Sequence, residues 1–559
     1  MPPCLPRWPL AFLLLFFPSL AIGQCLDSPS SPRQAAPMDL EVEAVILPRP
    51  VVPNFQPVAF RNEAGLRFEV TIKEGLTERP IDGRLFVLLN RNPFPEPRQI
   101  ADHTGDNALP MFARDVSGIS SERPGIIDDT AEAFPLADLQ ALPPGEYTAQ
   151  AVLDTNLDIN DLNAPGNLYS NPVRFRLDPA RGGIARLVLD QRIPAEELPA
   201  DTAFVKYIKI RSDLLSKFHG RPIFLRAALI VPRDFDQAPD RRYPLRVHIG
   251  GFGARFNEAG RRMAEGSRFR PLWLEDNTPR MLFLHLDGAG PLGDPYQVNS
   301  ANHGPYGDAI TQELIPHVEQ TYQGIGEPYA RVLDGGSTGG WVALALQVFY
   351  PDFFNGAWAF CPDSVDFRDF QLINIYEDAN AYKDPQGQEI PACREINGAV
   401  RYTMRHECQL ENTLGRGDTW TTSGGQWGAW NATYSPRGPD GLPVPLWDPK
   451  TGAIDRPVAE HWKKYDLRLI LETNWPELGP KLRDKLHIWV GEADNFFLER
   501  AVHRLDDFLK TADPPFEGTI TFGPGQGHCW MGITEREMMD RMAARIEAGR
   551  QAVKVSPRD

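Results

Sequence analysis

After its opening segment the chain has no long apolar run, and in 559 residues it has only six cysteines and no cluster of basic residues. Each scarcity excludes something. A permanent membrane helix needs roughly 18 uninterrupted apolar residues. No stretch beyond the first 23 approaches that, so no transmembrane anchor is expected. Fifty-eight Lys and Arg against 74 Asp and Glu leave a formal net charge of −16. With no basic stripe to offset it, this argues against nucleic acid or an anionic membrane surface as partner, while neutral or cationic ligands are easier to accept. No His, Cys and Asp cluster has metal-ligand spacing, and no glycine motif of dinucleotide or Walker type stands in a fitting context, so neither metal nor organic cofactor is expected.

What is present begins with Arg7, an apolar run from Leu10 to Phe17 and a small-residue exit at Ala21-Ile22-Gly23. That pattern predicts a signal peptide over residues 1–23 and an exported protein, periplasmic or extracellular. Cys25 raises lipid attachment as an alternative, although Gln24 is a poor residue to precede a lipidated cysteine. The roughly 535 residues that remain exceed what one hydrophobic core organises. A linker over 24–37 leads into residues 38–190, where short strand patterns recur between turns: Leu66, Phe68, Val70 and Ile72 alternate with polar residues, and Arg84 to Leu89, Tyr147 to Leu153, Val173 to Leu177 and Ala185 to Leu189 follow. An all-β, immunoglobulin-like sandwich is the expectation. Within it Asp154-Thr155-Asn156-Leu157-Asp158-Ile159-Asn160-Asp161 resembles the start of a calcium loop. Ile159 stands where such a loop needs Gly, and no Glu closes it, so a polar hairpin loop is expected instead.

From about residue 200 to 555 apolar strand runs alternate with helical patterns, the signature of an α/β domain with a largely parallel sheet. Phe224 to Val231, Leu245 to Ile249, Met281 to Leu286, Ala330 to Leu333, Gly356 to Phe360 and Leu486 to Val490 are the strand candidates. Helices are expected over Asp308 to Tyr322 and from Gly340 to just before Pro351. Between about 363 and 475 the periodicity weakens and Trp420, Trp427, Trp430 and Trp447 crowd together. That is an insertion of cap or lid type; its rings suit sugar or aromatic acyl groups, and equally suit packing of an irregular excursion.

The strongest chemical signal is Gly335-Gly336-Ser337-Thr338-Gly339-Gly340, a G-x-S-x-G between a strand and a helix. The turn is so sharp that the residues two before and two after the serine must lack bulk, which glycine satisfies. A serine hydroxyl needs a base, and the base an orienting acid. His528, in the Gly-rich loop Gly525 to Trp530, is the expected base; His487 and His503 fall inside a strand and a helical segment. Asp494, on the loop after the strand Leu486 to Val490, is the expected acid, with Glu492 as its nearest competitor. The developing oxyanion needs backbone donors: Thr338 supplies one, and Gly251 or Phe252, in His248-Ile249-Gly250-Gly251-Phe252-Gly253, the other.

With these elements in this order, the stretch from about Gly220 to Gly532 resembles the putative-esterase branch of the α/β hydrolases, which includes feruloyl esterases, enterochelin esterases and mycolyltransferases. The resemblance implies a serine esterase acting on a small-molecule or polysaccharide-linked ester through an acyl-enzyme. It extends to Ser300-Ala301-Asn302-His303-Gly304-Pro305-Tyr306-Gly307 and implies that Ser300 and Asn302 line the site, as the Trp420 and Trp427 rings would from the cap. Tannase-type feruloyl esterases tie a cysteine before the serine to one after the histidine. Here Cys529 matches the second, Gly336 replaces the first, and a bond from Cys529 to Cys361 would do a similar job; Cys393 and Cys408 are close enough in sequence to close a loop of their own. Acyl transfer or peptide cleavage by the same machinery, and a non-catalytic surface binding protein on a hydrolase scaffold, are the competing readings.

Overall fold

The computed structural model describes Gln56, Val58 and residues 65–555. The expected signal segment, the linker, Cys25 and most of residues 38–64 lie outside the described residues.

The amino-terminal strands are β1 (Leu66–Ile72), β2 (Ile81–Asn90), β3 (Met111–Ile119), β4 (Gly125–Ile127), β5 (Glu132–Phe134), β6 (Gly145–Asp154), β7 (Leu168–Ser170), β8 (Val173–Leu177) and β9 (Gly183–Arg192). They form one hydrogen-bonded sheet in the order β4-β1-β9-β7-β6-β2-β3-β5, with β8 also beside β6. Every pairing is antiparallel except β1 with β9. The expected all-β domain is therefore present. Its sheet folds over so that Phe68 and Val70 of β1 and Leu187 of β9 share a core with Leu85, Val87, Ala149, Leu153 and Phe175.

Alternation fails in β2, where Leu85 to Leu89 is apolar throughout, because both faces are covered. Phe86 and Leu88 join Met111, Ala113, Phe134 and Val152 in a second apolar layer that is closed by Leu410 from the other domain. A strand buried on both sides has no polar face to display.

The second sheet contains β10 (Val205–Ser212), β11 (Ile223–Ile230), β12 (Leu245–Ile249), β13 (Leu282–Leu286), β16 (Arg331–Gly336), β17 (Ala357–Phe360), β20 (Leu486–Gly491) and β21 (Thr519–Gly523), with two small hairpins outside it, β14 (Asn299–Ser300) with β15 (Gly304–Pro305) and β18 (Pro391–Arg394) with β19 (Val400–Thr403). Its order is β10-β11-β13-β12-β16-β17-β20-β21. From β13 onward neighbours run parallel. This is an α/β-hydrolase-like domain. Its inner strands β12, β17 and β20 are buried along their whole length, as a sheet covered on both faces requires. The helix Thr338–Phe349 follows β16, and Tyr306–Thr321 is helical with a π turn over Ile310–Leu314. Among the described residues, no helix is long and apolar enough to cross a membrane.

Residues 361–485, between β17 and β20, form the excursion over the sheet. Its interior is aromatic: Trp420 stacks on Trp447 with ring centroids 4.5 Å apart, and Trp427 meets Trp430 edge-on at 4.8 Å. The helix Met404–Leu414 within it is also the seat of the β-domain. Arg84, with no exposed surface, leaves β2 and donates to the Thr413 carbonyl (3.0 and 2.8 Å) and the Asn412 carbonyl (3.3 Å) at the end of that helix. It also pairs with Asp115 (3.0 Å) and Asp418 (2.9 Å). The last carbonyls of a helix have no intrahelical donors and carry its negative end, so a guanidinium there satisfies both needs.

The calcium-like segment behaves as a polar loop. The Asp154 carboxylate accepts from the Asn156 backbone N–H and pairs with Arg416 at 3.0 Å, while the Asn156 side chain caps Asp158 and Ile159. Cys393 and Cys408 are both buried free thiols, so the loop closure expected between them is not made. The Cys408 thiol lies instead against Tyr382 and Trp447, and that of Cys393 against Tyr402.

Replacing Arg84 with Met should lower stability to urea by about 2–3 kcal/mol, since helix-end carbonyls and two carboxylates lose one shared partner and the carboxylates are half-exposed. An unchanged unfolding midpoint would show that the apolar layer and the other cross-domain polar contacts, such as Asp154 with Arg416, join the domains without help from Arg84.

Candidate active site

The site is built at the carboxyl ends of β16, β17 and β20, where parallel sheets of this kind collect functional groups. Ser337 occupies the turn between β16 and the helix Thr338–Phe349 with φ 57° and ψ −126°, a conformation costly for a residue with a side chain. Close packing holds it there. A methyl group on Gly335 would come within 2.3 Å of the Gly339 carbonyl oxygen, and one on Gly339 within 2.0 Å of that of Ile249. The Ser337 N–H donates to the Phe360 carbonyl (2.9 Å), and the Ser337 carbonyl accepts from Gly340 (2.9 Å) and Trp341 (3.1 Å).

Ser337 Oγ lies 3.1 Å from His528 Nε2, and His528 Nδ1 lies 2.8 Å from Asp494 Oδ2. The three residues expected to act together are thus brought together from positions 337, 494 and 528. Asp494 is fully buried, and its other oxygen accepts from the Phe496 N–H at 2.9 Å. The His528 backbone N–H donates to Asn495 Oδ1 (3.0 Å), whose amide in turn donates to the Arg394 carbonyl of β18 (2.7 Å). Arg394 donates to the Asp494 carbonyl (2.9 Å) and pairs with Glu499 (2.7 Å). The β18–β19 hairpin therefore clamps the loop that carries the acid.

Burial by itself would lower the proton affinity of His528. The adjoining Cys529 sulfur and the Asp494 carboxylate outweigh it and raise its pKa well above 6.5. Cys361 and Cys529 approach from two sides: among the described residues their sulfurs and His528 form a group of three possible metal ligands, all within 4.8 Å of one another. Soft donors at such spacing suit a thiophilic ion, and the ion would occupy the base.

The glycine loop after β12 lies across the elbow from below. Gly253 N–H donates to Asp294 Oδ2 (3.1 Å) and Ala254 N–H to the Gly251 carbonyl (2.9 Å), which shapes the Gly251-Phe252 segment. Burial, reinforced by Asp287 and Asp363, pushes the Asp294 carboxyl up to about 7. Thr338 opens the helix, and first-turn N–H groups have no partner within their own helix. The helix start at Thr338 adjoins the serine, and the glycine loop meets the elbow where Gly339 packs on the Ile249 and Gly250 carbonyls, the residues just before Gly251 and Phe252.

The four residues expected to face substrate have other work. Ser300 Oγ donates to the Ala432 carbonyl (3.0 Å), and the Asn302 amide to the Ala432 (2.9 Å) and Ser435 (3.0 Å) carbonyls, so both anchor the end of the helix Gln426–Tyr434. Trp420 and Trp427 are 0% and 1% exposed and pack within the excursion. The packing reading prevails for them because stacking four indoles removes far more apolar surface from water than lining an open cleft.

Two polar residues that the sequence reading passed over stand at the centre. Asp363, just past β17 and 2% exposed, sets Oδ1 3.5 Å from Ser337 Oγ, and its Oδ2 accepts from Tyr296 (2.8 Å), Thr338 Oγ1 (2.9 Å), Trp430 Nε1 (3.1 Å) and Gln426 Nε2 (3.3 Å). Its N–H donates to the Ser337 carbonyl at 3.2 Å. Burial raises its pKa against the effect of these donors. The same rule that found Asp494, a carboxylate immediately after a parallel strand, applies to Asp363 with equal force. Tyr296, at φ 52°, carried no such signal.

The family model described as putative esterase matches residues 295–517. That stretch, about two-fifths of the chain, resembles esterases. No curated protein matches the sequence. Among solved structures the chain is similar to a ferulic acid esterase (14% identity, 62% of this chain and 98% of that one, TM-score 0.34). It is also similar to an S-formylglutathione hydrolase from Agrobacterium tumefaciens (13%, 63% and 98%, TM-score 0.35) and to Mycobacterium tuberculosis MPT51 (12%, 62% and 99%, TM-score 0.35).

Because a raised pKa keeps His528 protonated to higher pH, the free base grows in only as pH climbs past the ordinary imidazole range. For a neutral ester, kcat/KM of protein kept reduced, with Cys529 a free thiol, should therefore rise along a limb centred above 6.5. Cys529→Ser should move that limb to lower pH. A wild-type limb at or below 6.5 would contradict the assignment of the sulfur's influence.

Proposed function

We propose that this protein is an exported serine esterase that hydrolyses carboxylic esters through an acyl-enzyme. One observation carries the reading: the hydrogen-bonded series Ser337 Oγ, His528 Nε2, His528 Nδ1 and Asp494 Oδ2, at 3.1 and 2.8 Å, on an elbow with φ 57°. In this reading His528 takes the Ser337 proton as Oγ attacks the ester carbonyl, and the neutral tautomer is set by Asp494 accepting from Nδ1. The N–H groups of Thr338 and of Gly251 or Phe252 receive the oxyanion. His528 then returns the proton to the departing alkoxide, and water, deprotonated by the same base, releases the acid.

The signal pattern at residues 1–23 supports export, and an oxidising compartment would favour a bond between Cys361 and Cys529, whose sulfurs lie within 4.8 Å. Acyl transfer to an alcohol uses the same acyl-enzyme and differs only in what accepts the acyl group. A binding protein without activity would have no need of a strained serine with an oriented base.

Purified protein should be labelled by a fluorophosphonate probe, and both Ser337→Ala and His528→Ala should abolish labelling while circular dichroism stays unchanged. Folded wild-type protein that never labels would overturn the esterase reading.

A further inference from the structure

Asp363 is a buried carboxylate at the nucleophile for which hydrolysis by Ser337, His528 and Asp494 has no use. Its two oxygens are treated differently. Oδ2 has four donors from three parts of the chain: Tyr296, Thr338, Gln426 and Trp430. Oδ1 faces Ser337 Oγ at 3.5 Å, a long contact, and the Ser337 proton is the one that His528 Nε2 must take at 3.1 Å. Once serine donates to histidine, Oδ1 is left a buried acceptor without a donor. Leaving such a group unsatisfied costs more than the bond itself is worth.

The direction of Oδ1 can be read from the demands of the reaction. A carbonyl carbon bonded to Ser337 Oγ has three other substituents. The leaving oxygen must face His528 Nε2 to receive its proton, and the oxyanion must face the backbone N–H groups of Thr338 and the Gly251-Phe252 segment. A carboxylate next to the oxyanion would repel it, which leaves the acyl substituent to face Asp363. A group on the first acyl carbon stands roughly 3 to 3.5 Å from Oγ, and with the acyl substituent turned to the Asp363 side it comes within hydrogen-bond reach of Oδ1, itself 3.5 Å from Oγ.

We propose that Asp363 Oδ1 is a substrate-recognition atom, accepting a hydrogen bond from an N–H or O–H group on the carbon adjacent to the scissile carbonyl, so that the preferred substrates are α-hydroxy or α-amino acyl esters. The inference rests on the esterase reading above. It assigns a substrate class to that site. The donors on Oδ2 also hold the carboxylate in place, so the acceptor is preorganised.

Methyl 2-hydroxypropanoate, methyl 2-aminopropanoate and methyl 2-methylpropanoate differ in the group presented to Oδ1, and dividing each kcat/KM by that ester's hydroxide-catalysed rate constant removes their different intrinsic reactivities. Wild-type kcat/KM for the hydroxy or the amino ester should exceed that for the methyl isostere by roughly tenfold or more. A preference confined to the amino ester identifies charge pairing as the source, and one shared by both esters identifies hydrogen bonding. In Asp363→Asn the carbonyl oxygen stays with the Oδ2 donors and the amide N–H₂ takes the place of Oδ1, turning acceptor into donor. The ratio should then fall at least tenfold. Wild-type ratios near one overturn the proposal without any variant, as does an Asp363→Asn protein in which all three esters slow by a common factor. Fluorophosphonate labelling of the same wild-type sample separates the two levels: labelled protein with no preference sinks this inference alone, whereas unlabelled protein sinks the esterase reading with it.

Discussion

The site depends on one backbone turn, the positive-φ conformation at Ser337. A serine does not adopt that conformation unless the surroundings over-determine it. They do so by contact: Gly335 and Gly339 let β16, β12 and the following helix approach until no Cβ would fit, and the Phe360 carbonyl holds the Ser337 N–H. The same close approach sets Thr338 at the start of the helix, where its N–H is free of intrahelical bonds, and brings the end of β17 to the nucleophile. The positions of Ser337, of the Thr338 N–H and of the Asp363 carboxylate are consequences of a single constraint.

Around that turn the groups are arranged by what they must not do. His528 must stay mobile in charge but fixed in place, and the loop Asp494-Asn495, clamped by Arg394 of the β18–β19 hairpin, holds it through both its ring and its backbone N–H. Asp494 is buried, with its acceptor capacity spent on His528 and on the N–H groups that follow it, so it orients the ring without competing for the serine. The excursion over residues 361–485 spends its tryptophans on its own core. To Ser337 it brings the Asp363 carboxylate, whose far oxygen is held by the polar edges of Trp430 and Gln426. The β-domain, joined through Arg84 and an apolar layer to the helix Met404–Leu414, braces the back of this excursion.

Much of this was legible in the chain. Five of the six hydrolase strands expected from apolar runs agree with β11, β12, β13, β17 and β20 to within one residue at either end, because strands buried on both faces have a strong apolar signal. The sixth, expected over Ala330 to Leu333, runs on to Gly336 because its last residues are the polar and glycine residues of the turn. Short strands such as β4, β5 and β7 were not legible, since three residues have no period. Nor was β10, where Lys206, Lys209 and Arg211 interrupt the pattern on a strand at the edge of the sheet.

The sequence by itself determined the G-x-S-x-G turn at Ser337, its strand and helix, and the candidacy of Asp494 and His528, because local sterics and chain order restrict which residues can occupy such places. Tertiary structure alone decided which side chains fill the space around them. Ser300 and Asn302 were drawn to carbonyls of a helix more than a hundred residues away, Trp420 and Trp427 to each other's neighbourhood, and Asp363 to the nucleophile. The physical reason is that hydrogen bonds and aromatic contacts between segments distant in the chain depend on how the excursion folds, and no local pattern encodes that.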